Sequence, residues 1–583
     1  MGALCAAGEI LTKKSPIAVG QLLMNAVALQ NSGRIDEADA VYDKILKVDR
    51  RNGDALNLKG LIAHQRGRND EALALFDRAA KAYPAFPDVP FNKGTVLAAL
   101  GRSEEAIAAY SHAIKLRADH AGARLNLGQL LHASGRTREA VAAYREMTRL
   151  CPNEARGFFN LGVCLEKAIP KETSPTAREA LAQEGLAALS RALTLDPNSA
   201  ETHSALSTIY FHLGDYAQAI AHTRKAIALK PARASAWQDL GGHLEATGDR
   251  AGALAAYEQA LKLDPTHVSA AINRGMTYLA LGRFSEGWSG YLRRFESSDF
   301  PFTERRWPWP AWNGEDLSDK RILIWCDHGV GDQILFAAMI PEIAARAREC
   351  VIECEERLVP LYRRSFPELE IVPKTQAAVT ALLSRTFDYQ RSLLDLGRWL
   401  RPSLSAFPNR RAILRADPTQ TADFRARYRR EGSKLVGISW HSINPTVGHQ
   451  KSLRLADFTA VLTTPKLTFV NIQYGEVTAE IGEVSGRLGV SVLQDPEVDS
   501  LKDLDSFAAQ ISALDAVVTV SNTAAHMAAA LGVPTCIYVP DGRKRLWYWL
   551  DQGAFSPWYR TARLWRSAGP ETIAAIARVL ASL

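Results

Sequence analysis

The sequence predicts an α-helical solenoid followed by a doubly wound α/β region, and three observations carry that expectation. Glycines that end short helices recur every 34 residues at Gly33, Gly67, Gly101 and Gly135, and again at Gly214, Gly248 and Gly282. The beat stops near Trp307, and apolar runs of strand length then alternate with helical patterns. At 583 residues the chain is too long for one core, so two or three domains are expected.

Two further markers share the period. A small residue stands where paired helices approach, at Ala38, Ala72, Ala106, Ala140, Gly185, Ala219, Ala253 and Gly287. Proline follows the second helix at Pro84, Pro152, Pro197, Pro231 and Pro265, where it stops the helix from continuing. The pattern resembles the tetratricopeptide repeat, with about eight units over 17–295. The unit around Gly185 carries 11 extra residues near 168–180, read as a lengthened loop between its helices. Two residues before the early-helix glycine, or its equivalent, stand Asn92, Asn126, Asn160, Asp239 and Asn273. In the family this position lines the concave face, and a ladder of amides there suits the backbone of an extended peptide.

Hydrophobic content of 47% with 23% charged residues is that of an ordinary globular protein. The net charge of +7 comes with no run of five basic residues, so nothing indicates a nucleic-acid partner, and an anionic ligand suits the balance equally well. No secretory signal is evident in the opening segment, and no stretch approaches 18 consecutive apolar residues, so no membrane span is expected. Seven scattered cysteines read as reduced and cytoplasmic; Cys350 and Cys354 read as packing.

The segment 296–317 is rich in Trp and Pro and reads as a rigid joint, with Trp307, Trp309 and Trp312 packed between domains. Strands are expected at RILIWCD, CVIECE, LEIVP, KLVGISW, LTFVNIQY, AVVTVS and TCIYVP. The first leads into the turn HGVGDQ, where Gly329 and Gly331 permit a tight turn and close backbone approach. The segment VVTVSNTAAHMAAALGVPTCIYV is more specific. Its strand ends at Ser521, and Asn522, Thr523 and His526 occupy the turn and first helical turn, an arrangement suited to a diphosphate.

VSNTAAHMAAALGVPT resembles the donor-site motif of the heptosyltransferase-like glycosyltransferases, which has Asp where Asn522 stands. HGVGDQILF resembles their Gly-x-Gly-Asp turn, whose aspartate, here Asp332, is the expected catalytic base. VGISWHSINPTVGHQKSLRL, FVNIQYGE and the late stretch GRKRLWYWLDQGAFSPWYRTARLWR resemble bacterial proteins that fuse tetratricopeptide repeats to such a transferase. The resemblance implies a GT-B fold of two Rossmann-like domains, at 318–430 and 432–583, with the final helix crossing back to brace the first.

It implies metal-independent, inverting transfer from a nucleotide sugar, with no other cofactor. Asp332 is the base, with His328 the alternative, and Asp332 also suits a helix N-cap. Leaving-group charge falls to Lys451, Asn522, Thr523 and His526, with Arg543 and Arg545 from a basic cluster. Gln333 follows the base, and Trp440, Gln473 and Tyr474 end strands on the cleft side and shape the nucleotide pocket. Asp503 and Asp505 read as a helix cap and first-turn charge rather than a metal motif. In the nucleocytoplasmic protein O-GlcNAc transferases, a ladder like the one above holds the acceptor polypeptide. The leading expectation is therefore a protein glycosyltransferase whose client, flagellin among the candidates, lies in the repeat groove. A glycan acceptor and a non-catalytic scaffold are the alternatives.

Overall fold

Four of the repeats are built around a glycine that receives a large aromatic side chain from the following helix. A Cβ at Gly60 would come 2.7 Å from the Phe76 ring, one at Gly94 2.8 Å from Tyr110, and one at Gly128 2.5 Å from Tyr144. The same contact joins Gly241 to Tyr257. These rings are buried, and a hydrogen in place of a side chain is what lets the paired helices close on them. The seven glycines of the 34-residue beat all have φ between +73° and +85°, the left-handed conformation that ends a helix without a Cβ clash.

The computed structural model describes residues 16–297, 300, 304–443, 448, 451–540, 546–566 and 569–582. The chain divides into two units, Met1–Pro231 and Ala232–Leu583. Among the described residues the first holds six helix pairs, from Pro16–Asn31 with Ile35–Val48 to Ala200–Leu213 with Tyr216–Leu229. The second opens with two more, Ala234–Ala246 with Arg250–Leu263 and Val268–Ala280 with Phe284–Tyr291. The division into units thus falls at Pro231, within the run of helix pairs, because these last pairs pack on the α/β part. Trp288 Nε1 donates to Arg401 O at 2.8 Å, and its ring fills the space left by Gly397.

The 11 extra residues do not make a long loop. They add a 3₁₀ turn, Ile169–Lys171, and lengthen the next helix, Pro175–Leu195, to 21 residues where the other second helices of the first unit have 14. Ser174 caps that helix by accepting from Ala177 N, Pro175 starts it, and AREALAQE is made of good helix formers.

The second unit contains two all-parallel sheets. The first holds β1 (Arg321–Trp325), β2 (Glu349–Cys354), β3 (Glu370–Pro373) and β4 (Tyr389–Ser392) in the order β3-β2-β1-β4. Leu323 lies opposite Val351, and Ile324 opposite Arg391. The second holds β5 (Lys434–Ser439), β6 (Leu467–Asn471), β7 (Val492–Leu493), β8 (Ala516–Val520), β9 (Thr535–Val539) and β10 (Ala562–Arg566) in the order β10-β9-β8-β5-β6-β7. The central strands β1, β5, β8 and β9 are buried almost throughout, as strands covered on both faces must be.

Two expectations need correction. The final helix, Pro570–Ala581, does not brace the first sheet; Ile573, Ile576 and Leu580 join the core of the second with Leu455, Phe458 and Val461. Nor do Trp307 and Trp309 of the joint pack between domains. Trp307 and Trp309 lie with Leu323, Val351 and Phe387 on the first sheet, and Trp312 packs on Trp399, 4.7 Å between centroids. The joint follows the edge of that sheet, where Trp312 N donates to Gln390 O at 3.0 Å.

A buried ionic cluster ties the end of the repeats to the first sheet. Arg294, 1% exposed, lies 2.9 Å from Asp327 Oδ2 and 2.7 Å from Asp395 Oδ1. Ser392 Oγ donates to Asp327 Oδ1 at 2.6 Å, and Asp327 Oδ2 lies 3.0 Å from His328 Nδ1. Burial alone would raise the Asp327 pKa, but His328, Arg294 and Ser392 outweigh it and hold the carboxyl below the usual range.

The glycine–aromatic seats give a direct test. Gly128→Ala should destabilise the chain by about 1–3 kcal/mol through overpacking against Tyr144, read as a lower urea midpoint. An unchanged midpoint would show that the seat does not constrain the repeat.

Candidate active site

The site forms where two strand-to-helix turns meet. After β1 the chain runs through Cys326–Gly329 into the helix Val330–Phe336; after β8 it runs through Ser521 and Asn522 into the helix Thr523–Ala530. A Cβ at Gly331 would come 3.2 Å from His526 Cδ2 and 3.6 Å from Thr523 Oγ1, so the two helix starts are in near contact. Beside them opens a cavity of about 370 Å³. Neither Gly329 nor Gly331 has a positive φ, which corrects the tight-turn expectation: Gly331 serves close approach, and Gly329 is the extended N-cap residue.

Two opposite charges line this cavity. Burial raises the Asp332 pKa, and His328, Lys451 and the hydroxyl of Tyr548 on the same wall pull it back. Lys451, 7% exposed, has its pKa lowered by burial and supported by Asp332. His526 also lines the cavity. Its Nδ1 lies 3.1 Å from Tyr559 Oη and its ring stacks on Trp549, 5.0 Å between centroids. Burial, with Lys451 adding to it, pushes its pKa down to about 3, so the imidazole is neutral.

Asn522 caps the second helix. Its Oδ1 accepts from Ala525 N at 3.2 Å and from Thr519 Oγ1 at 3.1 Å, while its Nδ2 donates to Ser439 Oγ at 2.7 Å and to His441 O at 3.1 Å. An aspartate has no donor for the last two, which gives a physical reason for the amide in this chain. Thr523, Tyr474, Gly329 and Gly331 line the cavity with it, and Tyr474 Oη accepts from Ile443 N at 3.3 Å.

Four expected residues take other places. His328 faces Asp327 and Tyr291, whose hydroxyl is 3.5 Å from Nε2, and is not part of the cavity wall. Gln333 is buried, donating to His328 O at 2.8 Å and accepting from Glu355 N at 2.9 Å, so it braces the turn instead of contacting a ligand. Gln473 Oε1 accepts from Ser439 Oγ, Trp440 N and His441 N, each at 2.9 Å, and thereby shapes the loop after β5. Trp440 is a core residue whose Nε1 donates to Glu480 at 2.9 Å. Arg543 and Arg545 lie outside the described residues.

Several wall residues escaped sequence reasoning. Tyr548 sits in the aromatic run Trp547–Trp549, where its neighbours gave the only signal. Arg357 follows β2 and donates to Leu501 O; Leu501, Leu504 and Phe507 give that side an apolar wall. Asp503 caps its helix by accepting from Asp505 N and Ser506 N, and Asp505 pairs with Arg364 at 2.7 Å. Among the described residues no group of three or more His, Cys, Asp or Glu side chains is placed to hold a metal ion, and the six cysteines are free.

The five candidate peptide-binding residues are all half-buried. Asn92, Asn126 and Asn160 belong to the first unit, and Asp239 and Asn273 to the second. Asn92 Nδ2 donates to Asn57 Oδ1 at 3.0 Å and Asn126 Nδ2 to Tyr110 Oη at 3.4 Å.

Residues 23–87 and 91–155, and 200–233 and 234–267, match tetratricopeptide repeat families. The N-terminal region carries tetratricopeptide repeats. The chain is 33% identical over 307 residues to protein FlbA of Caulobacter vibrioides, a match covering 50% of each. It thus spans about half the length of that curated relative. Among solved structures, a thermophilic tetratricopeptide protein of Thermus thermophilus aligns at 21% identity and TM-score 0.28, over 33% of this chain and 99% of its own. PilF of Pseudomonas aeruginosa aligns at 19% identity and TM-score 0.31, over 37% and 94%. Among the described residues no helix is long and apolar enough to cross a membrane.

Two measurements follow from the site. Asn522→Asp should cost roughly 1–3 kcal/mol of stability, because a carboxylate cannot donate to His441 O or Ser439 Oγ; an unchanged urea midpoint would refute this assignment. His526 is neutral in the folded chain and ionises near 6.5 when unfolded, so its contribution falls away as pH drops from 6.5 toward 3. That loss should amount to about 1.4 kcal/mol per pH unit, and His526→Gln should flatten the pH dependence of the midpoint by that amount.

Proposed function

We propose that the chain is a metal-independent glycosyltransferase of the GT-B kind, moving a sugar from a nucleotide sugar to a hydroxyl of a protein client held by the repeats. The observation that supports it best is that Asp332 and Lys451, of opposite charge, line one cavity that also meets the N-terminus of the helix Thr523–Ala530. Two parallel sheets contribute one strand-to-helix turn each to that cavity, and ligands in such sheets collect at the carboxyl ends of strands.

In this reading the acceptor oxygen attacks the anomeric carbon while the bond from that carbon to the leaving phosphate oxygen breaks, inverting the centre. The acceptor proton passes to Asp332, whose raised pKa makes it a better base than an exposed aspartate. The new negative charge on the nucleoside diphosphate is met by Lys451, by the helix start at Thr523 and by Arg357. His526, held neutral, supports the turn without adding charge. Transfer takes place in the cytoplasm, and the client's Ser or Thr hydroxyl is the acceptor, flagellin being the first client to test.

One observation favours a second reading with a glycan acceptor. The amides of Asn92 and Asn126 are engaged inside the array, which leaves less of the ladder to hold a peptide backbone.

The test compares intact masses of secreted and flagellar proteins from cells lacking this gene, complemented with wild type or with Asp332→Asn. Wild type should restore a mass matching whole sugar residues, and Asp332→Asn should slow transfer by about 10²–10⁴-fold. Unchanged protein masses with a shortened surface polysaccharide would select the glycan acceptor. No change in either would overturn the transferase reading.

A further inference from the structure

The last repeats reach the reactive carboxylate through one short segment, Leu546–Asp551. At its centre Tyr548 shares the cavity wall with Asp332, and its hydroxyl lowers the pKa of that carboxyl. On one side Trp549 Nε1 donates to Ser521 Oγ at 2.7 Å, beside the Asn522 cap. On the other, Trp547 packs edge-on against Trp288 and Tyr291 of the last repeat helix, at 5.4 and 5.6 Å between centroids. Leu550 then takes φ +51°, a strained conformation for leucine that persists only where its surroundings impose it.

What imposes it lies next along the chain. Asp551 N donates to Ala280 O at 2.8 Å, and the Asp551 carboxylate receives Arg250 Nε at 2.8 Å and Nη2 at 3.1 Å in a two-pronged pair. Arg250 opens the second helix of the seventh repeat. Its Nη1 donates to Glu245 Oε1 at 2.9 Å, and Tyr257 and Thr277 hold Glu245 in turn. These part-buried, charge-assisted bonds fix the segment where it leaves Tyr548.

We propose that Arg250 is a positioning residue for Asp332: its pair with Asp551 sets the place of Tyr548, whose hydroxyl stays on the Asp332 carboxylate only while the pair is intact. The array that holds the client thereby sets the basicity of the group that activates it. This rests on reading Asp332 as the reactive carboxylate. Asp332 also faces His328 and Asp327 from its own loop, Lys451 from the loop after β5, Tyr291 from the last repeat and Tyr559.

The test places 3-fluorotyrosine at position 548 of the full chain and follows its ¹⁹F resonance with pH. The resonance should show a step at the ionisation of Asp332, and Asp332→Asn should abolish it. In Arg250→Met the step should move up by about one pH unit, a tenfold change, as the hydroxyl that favours the charged carboxylate is lost. Arg250→Lys should restore part of the shift, and Asp551→Asn should reproduce it should Arg250→Met fail to fold. A step at the wild-type pH in the folded Arg250→Met or Asp551→Asn chain overturns the proposal, as does a step that survives Asp332→Asn. The readout needs neither donor nor acceptor. Failure of the transferase reading would leave the ¹⁹F shifts in place, whereas failure of the clamp would leave them unmoved even in an active enzyme.

Discussion

Arg294 brings a full charge into a place with almost no water, and the architecture of the second unit depends on how that charge is met. Burying a guanidinium costs several kcal/mol unless carboxylates and hydrogen bonds surround it. Asp327 supplies one carboxylate from the end of β1 and Asp395 the other from just beyond β4, with Ser392 bridging to Asp327. Because the cluster draws on the last repeat and on both of these strands, none of the three can move without exposing an unpaired charge. The Arg294 guanidinium also lies 4.3 Å from the centre of the Phe295 ring, which further limits its freedom.

Asp327 is also the residue from which the turn to Asp332 departs. With its carboxylate fixed, His328 is held by its Nδ1, Gln333 holds the His328 carbonyl, and the turn reaches Asp332 with little slack. The second turn is fixed differently. Asn522 uses both ends of its amide, and Gln473 gathers the backbone of the neighbouring loop, so this side rests on neutral hydrogen bonds and not on ions. The cavity therefore has one wall secured by charge and one by amides. The charges at its centre, Asp332 and Lys451, come from different walls.

Much of the fold was legible because it is written in period and hydrophobicity. The glycine beat located the helix ends, and the apolar runs located β1, β2, β3, β5, β6, β8 and β9. β4, β7 and β10 were missed for physical reasons. Tyr389–Ser392 reads YQRS and lies at a sheet edge, β7 has two residues, and ARLWR is half-exposed. In the site, Asp332, Lys451, Asn522, Thr523 and His526 were readable because each stands on a turn with a recognisable pattern. Gln333, Trp440 and Gln473 were misplaced because a polar or aromatic residue near a strand end looks the same in sequence whether it faces a ligand or secures a loop. Tyr548 and Arg357 were missed because their approach to Asp332 and Leu501 depends on tertiary contacts alone.

The enlarged fifth repeat shows what kind of length change a stacked array accepts. Its second helix is seven residues longer than its counterparts in the first unit, and seven residues turn about 700°, close to two full revolutions. The extension lies at the helix start, so its inward side remains in phase with the stripe of Ala182, Gly185, Leu189 and Ala192. It projects roughly 10 Å of helix without rotating the contacts of the next repeat. An extension of five would have set its own inward side about 140° away from that stripe. Growth by whole revolutions lets such a protein acquire a new protrusion while every older interface keeps its facing.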